Sequence, residues 1–435
     1  MNNTKFTSKL GFVLASVGSA VGMGNIWLFP YRVGQYGGAA FLIPYLFFIF
    51  IFGKVGLSGE FALGRLFGTG PIGSYEQAFK LGGRKHGDKI GTLPLIGSLG
   101  IAIGYAIIVG WVLFYLVSSF TGTLMQSNPA ELFQEIAKPF SSIPWHIIVL
   151  VITGIALSSG IIKGIEKVSK IMMPAFFILF LILAIWVAFL PGALAGYEYL
   201  LIPRWEFLLN PMTWVMAMGQ AFFSLSITGS GMVIYGSYLS EKEDVIKLSN
   251  YTALFDTVAA MLSSFVIIPA IFAFGLNPAA GPSLMFKTMP MIFQQMPLGS
   301  FFSILFFTSV LFAGITSLIN MLEAVTEAAT SRLKLSRTVS IICIVIIAFA
   351  IGVFLEYEPY MGQWMDIITI YIVPAGAVLG AFTIYWILPK KKLMDALNLA
   401  CVKPHKDSLY IFARYGYVLL AITVFILGIL LGGIG

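Results

Sequence analysis

The sequence predicts an all-α membrane protein with eleven transmembrane helices, arranged as an inverted five-helix repeat in which helices 1 and 6 are discontinuous. The first observation is the composition: of 435 residues, 58% are hydrophobic and 10% are charged, and the mean hydropathy is +0.92. Such values are typical of membrane proteins rather than of soluble domains. The second and third observations are a series of long apolar runs and two glycine-rich interruptions within them.

The apolar runs are long enough to cross a bilayer as helices. About 20 helical residues, rising about 1.5 Å each, span a hydrocarbon core of about 30 Å. The first run has no small-residue cleavage site, so we expect it to remain in the mature protein. The runs fall near residues 10-36, 39-66, 93-122, 142-160, 168-190, 211-238, 250-275, 298-331, 338-356, 366-388 and 408-432.

The basic residues predict the orientation of the chain. The net charge is +7, but the basic residues follow the loops and form no patch, so no nucleic-acid partner is expected. With a cytoplasmic N-terminus, 20 of the 26 Lys and Arg residues lie in cytoplasmic segments. Eleven crossings then leave the C-terminus outside. The lack of a signal peptide and the short loops favour a multi-pass protein of a bacterial plasma membrane.

The runs divide the chain into three regions. Residues 1-190 form the first five-helix repeat, 191-388 the second, and 389-435 a cytoplasmic loop with the eleventh helix. Prolines within 276-297 favour an outer lid or hairpin, with a disordered loop as the alternative. No loop is long enough for a catalytic domain, and the two cysteines suggest neither a disulfide nor a metal cluster, so an enzyme is not expected.

Two runs are interrupted near mid-depth by glycine and hydroxyl residues, at Gly18 to Asn25 and at Phe223 to Gly231. Helix breaks in a membrane are tolerated where the freed backbone is buried or lines a wet cavity. Close helix packing would explain either cluster alone. The two clusters open successive blocks at 10-190 and 211-388, however, and such pairs indicate the midplane site of a transporter. Each block has an odd number of crossings, which predicts the inverted repeat.

The chemistry of a broken helix suggests the cargo. Free N–H groups at the start of a half-helix favour an anion such as an α-carboxylate, and free C=O groups coordinate a hard cation. A zwitterionic amino acid with sodium matches both. A channel would need a continuous polar pore, and a membrane enzyme would need a catalytic set in one helix layer; the sequence indicates discrete interrupted sites instead.

These residues resemble the neurotransmitter:sodium symporter family over roughly residues 5-390. The resemblance implies a symporter that imports an amino acid with sodium by alternating access. The matching motifs are Gly18 to Trp27, Phe29 to Tyr31, Gly37 to Tyr45, Glu60 with Gly64 and Arg65, Gly110 with Trp111, Gly219 to Ser226, and Ala313 to Ser317.

The resemblance also implies two sodium sites built from oxygen ligands, which a small hard cation prefers. The first would use the carbonyl of Ala20, the side chains of Asn25, Ser224 and Asp256, and a substrate carboxylate oxygen. The second would use carbonyls of Gly18, Val21 and Ala313 with the hydroxyls of Thr316 and Ser317. From the residues alone, both hydroxyls could instead bond to their own helix.

The substrate contacts carried over from the family are Ala20, Gly22, Gly24, Ile101, Tyr105, Phe223, Ser224, Ser226, Gly229, Ser317 and Met321. Tyr105 corresponds to the tyrosine that binds the carboxylate, with a packed aromatic as the alternative. Gly22 replaces the Asp of monoamine carriers, and Gly229 replaces a bulky aromatic of the leucine carrier. We therefore expect a bulky hydrophobic or aromatic amino acid; the alternatives are a sodium symporter for small aliphatic amino acids, or another carrier or channel with this repeat.

Asp256 is an acid within the seventh run, where charge is costly and usually functional. Animal relatives have a neutral Asn here and need chloride, so a fixed carboxylate predicts chloride-independent transport, with proton antiport left open. The structural alternative is an ion pair with Lys54. Lys54 itself has three open readings: a pair with Glu323, a pair with Glu327, or an ammonium that reaches the inner surface.

The charged gates of the family are missing from this sequence. Leu28 stands in place of the outer gating arginine, and Thr369 in place of its acidic partner, with Asp366 one turn earlier. We therefore expect the outer gate to close by apolar packing or through water. At the inner face the usual Arg-Trp pair and its acid are replaced by Asn3, Phe6 and Ser331, and Lys5 is the candidate substitute. The family's twelfth helix is absent, and the oligomeric state is left open.

Overall fold

The chain folds as a bundle of helices in a computed structural model that describes residues 5–276 and 282–434. These residues contain no β-strand; Gly38 and Pro203 form an isolated bridge. The predicted all-α class is confirmed. We call the end of the bundle that carries the N-terminus the inner end and the opposite end the outer end, following the predicted orientation.

The first half of the chain supplies three long helices and the first broken one. The described helices are α1 (Lys9–Ala20), α2 (Gly24–Gln35), α3 (Ala39–Phe67), α4 (Pro71–Leu81), α5 (Gly87–Thr121), α6 (Thr123–Gln126), α7 (Pro129–Ile136), α8 (Ile143–Ser158) and α9 (Ile161–Ala188).

The second half supplies the second broken helix and five long ones. The described helices are α10 (Ala193–Leu201), α11 (Pro211–Ser224), α12 (Gly231–Ser237), α13 (Val245–Ala273), α14 (Thr288–Gln295), α15 (Gly299–Arg332), α16 (Arg337–Leu355), α17 (Glu358–Ile387), α18 (Lys390–Asn398) and α19 (Asp407–Leu431), with short 3-10 turns at Trp205–Leu209 and Pro282–Leu284.

Eight of the described helices are long and apolar enough to cross a membrane, and the bent pair α1 and α2 counts as a ninth span. The run near 142-160 forms α8, which is a shorter apolar helix. The run near 211-238 forms α11 and α12. The exact number of eleven crossings and the boundaries at residues 190 and 388 stay predictions.

Both predicted helix breaks are present. Residues 21–23 separate α1 from α2, and the two axes bend by 60°. Residues 225–230 separate α11 from α12. The breaks lie in the middle of the bundle, where the long helices α5 and α15 pack against each other and α1 packs on α9, α13 and α15. The two interruptions therefore face a protein interior and not lipid, as the physics of an exposed backbone requires.

The outer helices of the bundle display apolar side chains. Helices α9, α16 and α19 bury only 28% of their most apolar stretch, whereas α5 and α15 bury 78% of theirs. Exposed apolar residues on such helices match a lipid environment. The chain is thus built as a multi-span membrane protein with a buried centre.

The predicted outer lid falls partly outside the described residues, since 277–281 are not described. From Pro282 onward the segment packs onto the bundle rather than forming a loose loop: Phe286 and Met289 are buried. The hydroxyl of Tyr115 donates to the carbonyl of Phe286 at 2.9 Å, and the ring of Phe286 stacks on Phe133. The described part of the lid is therefore ordered against α5 and α7.

Candidate functional site

The first helix break presents backbone N–H groups to Asn25 and Tyr105. Val21 has an extended backbone at the break. The amide of Gly22 donates to Asn25 Oδ1 at 3.1 Å, and the amide of Met23 donates to the hydroxyl oxygen of Tyr105 at 3.1 Å. These amides open the half-helix α2, where the helix dipole favours a negative charge. The first break can therefore receive a carboxylate beside the Tyr105 hydroxyl.

Asp256 is fully buried on α13 and connects the two breaks. Asn25 Nδ2 donates to Asp256 Oδ1 at 2.7 Å, and the hydroxyl of Ser224 donates to Asp256 Oδ2 at 2.7 Å. Among the described residues Asp256 forms no ion pair with Lys54, so that structural alternative is wrong. The cluster gathers carboxylate, amide and hydroxyl oxygens, which are the ligands of a hard cation.

Ser317 on α15 faces the end of α1. Its hydroxyl lies 3.1 Å from the carbonyl oxygens of Gly18 and Val21, and 3.3 Å from that of Ser19. One hydroxyl has one proton, so it can satisfy one of these three acceptors fully. A cation among them would satisfy the others. The own-helix alternative fits Thr316, whose hydroxyl lies near the carbonyls of Phe312 and Ala313, but it does not fit Ser317.

The second break adopts a conformation that ordinary helical residues avoid. Ser226 and Gly229 have positive φ angles of 51° and 77°. The Ser226 hydroxyl donates to the carbonyl of Ser19 at 3.1 Å, which ties the second break to the first. The amide of Gly229 donates to Glu60 Oε1 at 2.7 Å, and Tyr75 donates its hydroxyl proton to the Gly229 carbonyl at 3.0 Å. The freed backbone groups are thus satisfied by buried side chains.

A cavity of about 270 Å³ lies between the two breaks. Most of the predicted site residues line it: Ala20, Gly22, Gly24, Asn25, Ile101, Tyr105, Phe223, Ser224, Ser226, Ser317 and Met321. The predicted sodium ligands Gly18, Val21, Asp256, Ala313 and Thr316 lie behind this first layer. Lining residues that sequence reasoning missed include Ser19, Met23, Ser98, Ile108, Ile227, Thr228 and Asn320.

Gly22 and Gly229 have different surroundings from each other. A Cβ on Gly22 would lie 2.8 Å from the Tyr105 hydroxyl, so a side chain here would crowd the carboxylate position. Gly229 is not part of the cavity lining. A Cβ at Gly229 would lie 2.6 Å from the Tyr75 hydroxyl and 2.7 Å from the Gly376 carbonyl oxygen. The expectation that Gly229 enlarges the substrate pocket is therefore not supported, because Tyr75 and its neighbours fill that space.

The outer end of the cavity is lined by both apolar and polar groups. Leu28, Asp366 and Thr369 line it, and Asp366 forms no ion pair among the described residues. Ile434, which is only 2% exposed, also lines the cavity. Its carbonyl oxygen would be 2.1 Å from a Cβ on Gly219, so the glycine permits this close approach. Sequence reasoning missed Ile434, because a residue beyond the last helix carries no local signal for such packing.

The inner end is held by polar contacts. Phe6 is buried with its ring edge-on to Tyr235, and its amide donates to the carbonyl of Tyr238 at 3.1 Å. The hydroxyl of Tyr238 donates to Glu323 Oε1 at 2.6 Å. Arg337 donates two hydrogen bonds to the carboxylate of Glu323, at 3.0 and 2.6 Å. The candidate substitute Lys5 is exposed on the surface, so Arg337 and Glu323 form the buried charge pair in its place.

A second carboxylate anchors the start of the chain. Glu166, at the inner end of α9, accepts the amide of Thr7 at 2.8 Å and its hydroxyl at 2.6 Å. Ser8 and Lys170 donate to the same carboxylate. These contacts fix the start of the chain against α9. Of the readings for Lys54, the pairs with Glu323 and Glu327 are not formed in the described structure.

The arrangement of two broken helices around oxygen-rich positions matches a known family. A sequence profile of the sodium:neurotransmitter symporter family matches residues 3–136 and 130–434. The chain belongs to this family. The family consists of transporters, which confirms that the chain is a carrier and not an enzyme, and sodium dependence follows with membership.

Individual relatives agree with this assignment. The chain is 32% identical to an uncharacterised sodium-dependent transporter of Bacillus subtilis over 410 residues, which cover 91% of this chain and 90% of the relative. It is 30% identical to an uncharacterised sodium-dependent transporter of Methanocaldococcus jannaschii, over 92% and 85% of the two chains. A crystal structure of MhsT in complex with L-phenylalanine superposes with a TM-score of 0.86 at 32% identity, over 98% of this chain and 99% of MhsT.

Proposed function

We propose that the chain imports a hydrophobic or aromatic L-amino acid together with sodium, at two ion sites, by alternating access and without chloride. The observation that carries the proposal is the cavity between the two breaks, which has oxygen donors and amides at one wall and apolar side chains at the other. A zwitterion with an apolar side chain is complementary to both walls. The proposal places the N-terminus in the cytoplasm, the C-terminus outside, and the protein in a plasma membrane.

Charge balance supports an amino acid as the substrate. The amides at the start of α2 and the Tyr105 hydroxyl offer hydrogen-bond donors to a carboxylate. A first sodium ion beside Asn25, Ser224 and Asp256 would then use one substrate oxygen as a ligand. Such an ion binds more tightly when substrate is present, and by linkage the substrate binds more tightly when sodium is present.

The apolar wall supports a large side chain. Ile101, Ile108, Phe223 and Met321 contribute apolar side chains to the cavity lining. Burying apolar surface contributes about 25 cal/mol per Å², so a larger hydrophobic side chain gains more from this wall than alanine does. MhsT, which shares the fold, was solved with L-phenylalanine bound. These points favour an aromatic or bulky aliphatic amino acid over a small one.

The second ion position lies between α1 and α15. Ser317 approaches two carbonyl oxygens of α1 and that of Val21 in the break, and Thr316 packs beside Gly18, at which an added Cβ would lie 2.9 Å from Thr316 Cβ. A sodium ion here would hold the end of α1 against α15. Its departure toward the cytoplasm would loosen the inner half of the first helix, which is the half that must move for the substrate to leave.

Uptake by the purified chain in liposomes tests the proposal. Labelled phenylalanine, tyrosine, tryptophan, leucine and alanine are offered under an inward sodium gradient or an equal potassium gradient. We expect sodium-dependent uptake of the aromatic or larger apolar amino acids. No uptake of any amino acid in sodium would falsify the proposal. Preference for alanine would favour a small-aliphatic carrier, and currents far above carrier turnover would favour a channel.

The chloride requirement is tested at Asp256. With gluconate replacing chloride, the wild-type chain is expected to keep its uptake, because the Asp256 carboxylate supplies the negative charge beside the first ion. The substitution Asp256→Ser should make uptake depend on chloride. The control Glu358→Ser removes an exposed acid on α17 and should leave uptake chloride-independent. Loss of wild-type uptake in gluconate would contradict the assignment.

A further inference from the structure

A groove at the inner end of the bundle is not used by the transport site. It has a volume of about 360 Å³ and lies between α3 and the beginning of α19. Three basic side chains line it: Lys54 from α3, and His405 and Lys406 from the segment before α19. The groove thus joins a residue of the second apolar run to the basic loop that precedes the last helix.

Within the described part of the chain, the basic side chains of the groove have no acidic partners. None of Lys54, His405 and Lys406 forms an ion pair with a carboxylate in residues 5–276 or 282–434. The acid beside them, Asp407, is paired with Lys390 at 2.6 Å. The ammonium of Lys54 lies 5.4 Å from the ring centre of Phe50. Placing a charged lysine on a membrane-facing helix costs free energy unless its ammonium reaches a polar partner. An anion in the groove would be such a partner for Lys54.

The rest of the groove is apolar and faces outward. Phe50 is 65% exposed and Phe412 is 44% exposed, and both line the groove together with Leu409. Exposed aromatic rings on two membrane helices are expected to contact acyl chains. The groove therefore combines a basic end with an apolar wall, and this combination matches the headgroup and chain of a lipid.

We propose that this groove binds one anionic phospholipid of the inner leaflet. Lys54 and Lys406 hold the headgroup phosphate, and the acyl chain lies along Phe50 and Phe412. Basic pockets between helices on the cytoplasmic side recognise anionic headgroups in this way. A free phosphate ion would share the basic contacts but would gain nothing from the apolar wall, which favours the lipid. Of the three alternatives for Lys54, the one that fits this site is an ammonium at the inner surface, which the lipid phosphate holds there.

Native mass spectrometry of the full chain tests the proposal. The purified protein in detergent is titrated with dioleoyl phosphatidylglycerol or with dioleoyl phosphatidylcholine. We expect one phosphatidylglycerol molecule to be retained preferentially. A basic residue near an anionic headgroup is worth about 1 kcal/mol, or about fivefold in affinity. The double variant Lys54→Gln/Lys406→Gln should therefore bind phosphatidylglycerol about 25-fold more weakly.

A matched variant separates this site from diffuse surface charge. Lys391→Gln/Lys392→Gln removes the same charge from exposed residues of α18 that do not line the groove, and it should change the affinity less than twofold. Lys54→Arg keeps the charge and should retain binding, which distinguishes loss of the site from loss of folding. Equal retention of phosphatidylcholine, equal weakening in the control variant, or displacement of the lipid by 10-fold excess glycerol 1-phosphate would overturn the proposal.

Discussion

The two ends of the bundle are held by different forces. At the inner end, two buried carboxylates, Glu323 and Glu166, each accept several directed hydrogen bonds. At the outer end, Leu28 and Ile434 line the cavity with apolar side chains, and no ion pair involves Asp366 among the described residues. Separating a buried charge from its partner costs several kcal/mol, whereas separating apolar groups costs free energy in proportion to their area.

This difference bears on how the carrier alternates. Glu323 connects Tyr238, next to α12, with Arg337 at the start of α16, so the inner end opens by breaking several bonds as one unit. Among the described residues no such unit lies at the outer side of the cavity; the buried carboxylate of Glu356, which contacts His146, lies away from the cavity lining. On the proposed alternating-access cycle, the differential binding of substrate and ions would have to supply the free energy that separates these inner contacts.

The largest effect is expected from Glu323→Ala. The substitution removes the acceptor for Tyr238 and leaves the guanidinium of Arg337, which is 30% exposed, with the carbonyl oxygen of Leu157 as its remaining acceptor. Because breaking a fully buried pair costs about 3–5 kcal/mol and this pair is partly exposed, we expect a loss of about 3 kcal/mol. Hydrogen exchange of the peptide around Phe6, whose amide donates to Tyr238, should become much faster.

The control for this variant is an equally buried carboxylate at the outer end. Glu356 lies 3.2 Å from His146, and both are fully buried. The substitution Glu356→Ala should leave exchange around Phe6 unchanged. If the Glu356 variant speeds that exchange as much as the Glu323 variant, the inner end is not held by its own charge pair.

A smaller effect is expected from Ile434→Ala at the outer end. Each buried methylene is worth about 0.8 kcal/mol, so the loss of three carbons costs about 2.4 kcal/mol in transfer free energy. In a background without the native cysteines, maleimide labelling of Thr369→Cys should become several-fold faster. The control Leu430→Ala changes an exposed side chain of the same segment and should have no effect. Unchanged labelling with Ile434→Ala would show that this residue does not cover the cavity.

The smallest effect is expected on the inner surface. Lys80 and Arg332 each lie 2.6 Å from the Glu76 carboxylate, and their hydrogen bonds hold the pKa of Glu76 below its ordinary value. Glu76→Gln should lower stability by less than about 1 kcal/mol at pH 7, because exposed ion pairs are weak. A depressed pKa stabilises the fold above the ordinary pKa of the carboxyl and loses that effect as the pH falls through the folded value.

Thermal unfolding in detergent between pH 7 and pH 3 measures this dependence. The wild-type and Glu76→Gln midpoints should converge as the pH falls, because the protonated carboxyl no longer attracts Lys80 and Arg332. Leu81→Ala, next to the network and 46% exposed, gives a pH-independent reference. A midpoint difference that grows toward low pH would contradict the sign of the pKa shift.

The sequence predicts the class of fold and the centre of the site because both follow from local composition. Paired clusters of glycine and hydroxyl residues that open two successive blocks predict two broken helices, and both breaks are found. A single glycine and hydroxyl cluster does not suffice, since α15 stays continuous through Gly314, Thr316 and Ser317. The carrier family was also predictable, since its motifs lie around those breaks. The ligands named from the motifs gather at the cavity, apart from Gly229, whose role depends on packing from α4.

The contacts at the two ends of the bundle were not predictable because they depend on how separate helices pack together. The sequence lacks the family's gating charges, but nothing local indicates that Arg337 reaches Glu323 or that Glu166 binds Thr7, 159 positions away. The sequence likewise gives no indication that Ile434 is buried, since its burial depends on where α19 ends relative to Gly219. Pairings of this kind arise from the tertiary arrangement and have no signature in spacing or hydropathy.

The backbone of Gly229 is fixed by Glu60 of α3 and Tyr75 of α4, neither of which lines the cavity. The shape of the cavity near the second break is therefore set by side chains of α3 and α4 that do not line the cavity. A larger residue at Gly229, introduced to change the substrate preference, would clash with Tyr75 and Gly376. We expect it to impair folding before it alters the substrate preference. Thr228 and Met321 do line the cavity, so substitutions at these two positions are the ones expected to change substrate selectivity.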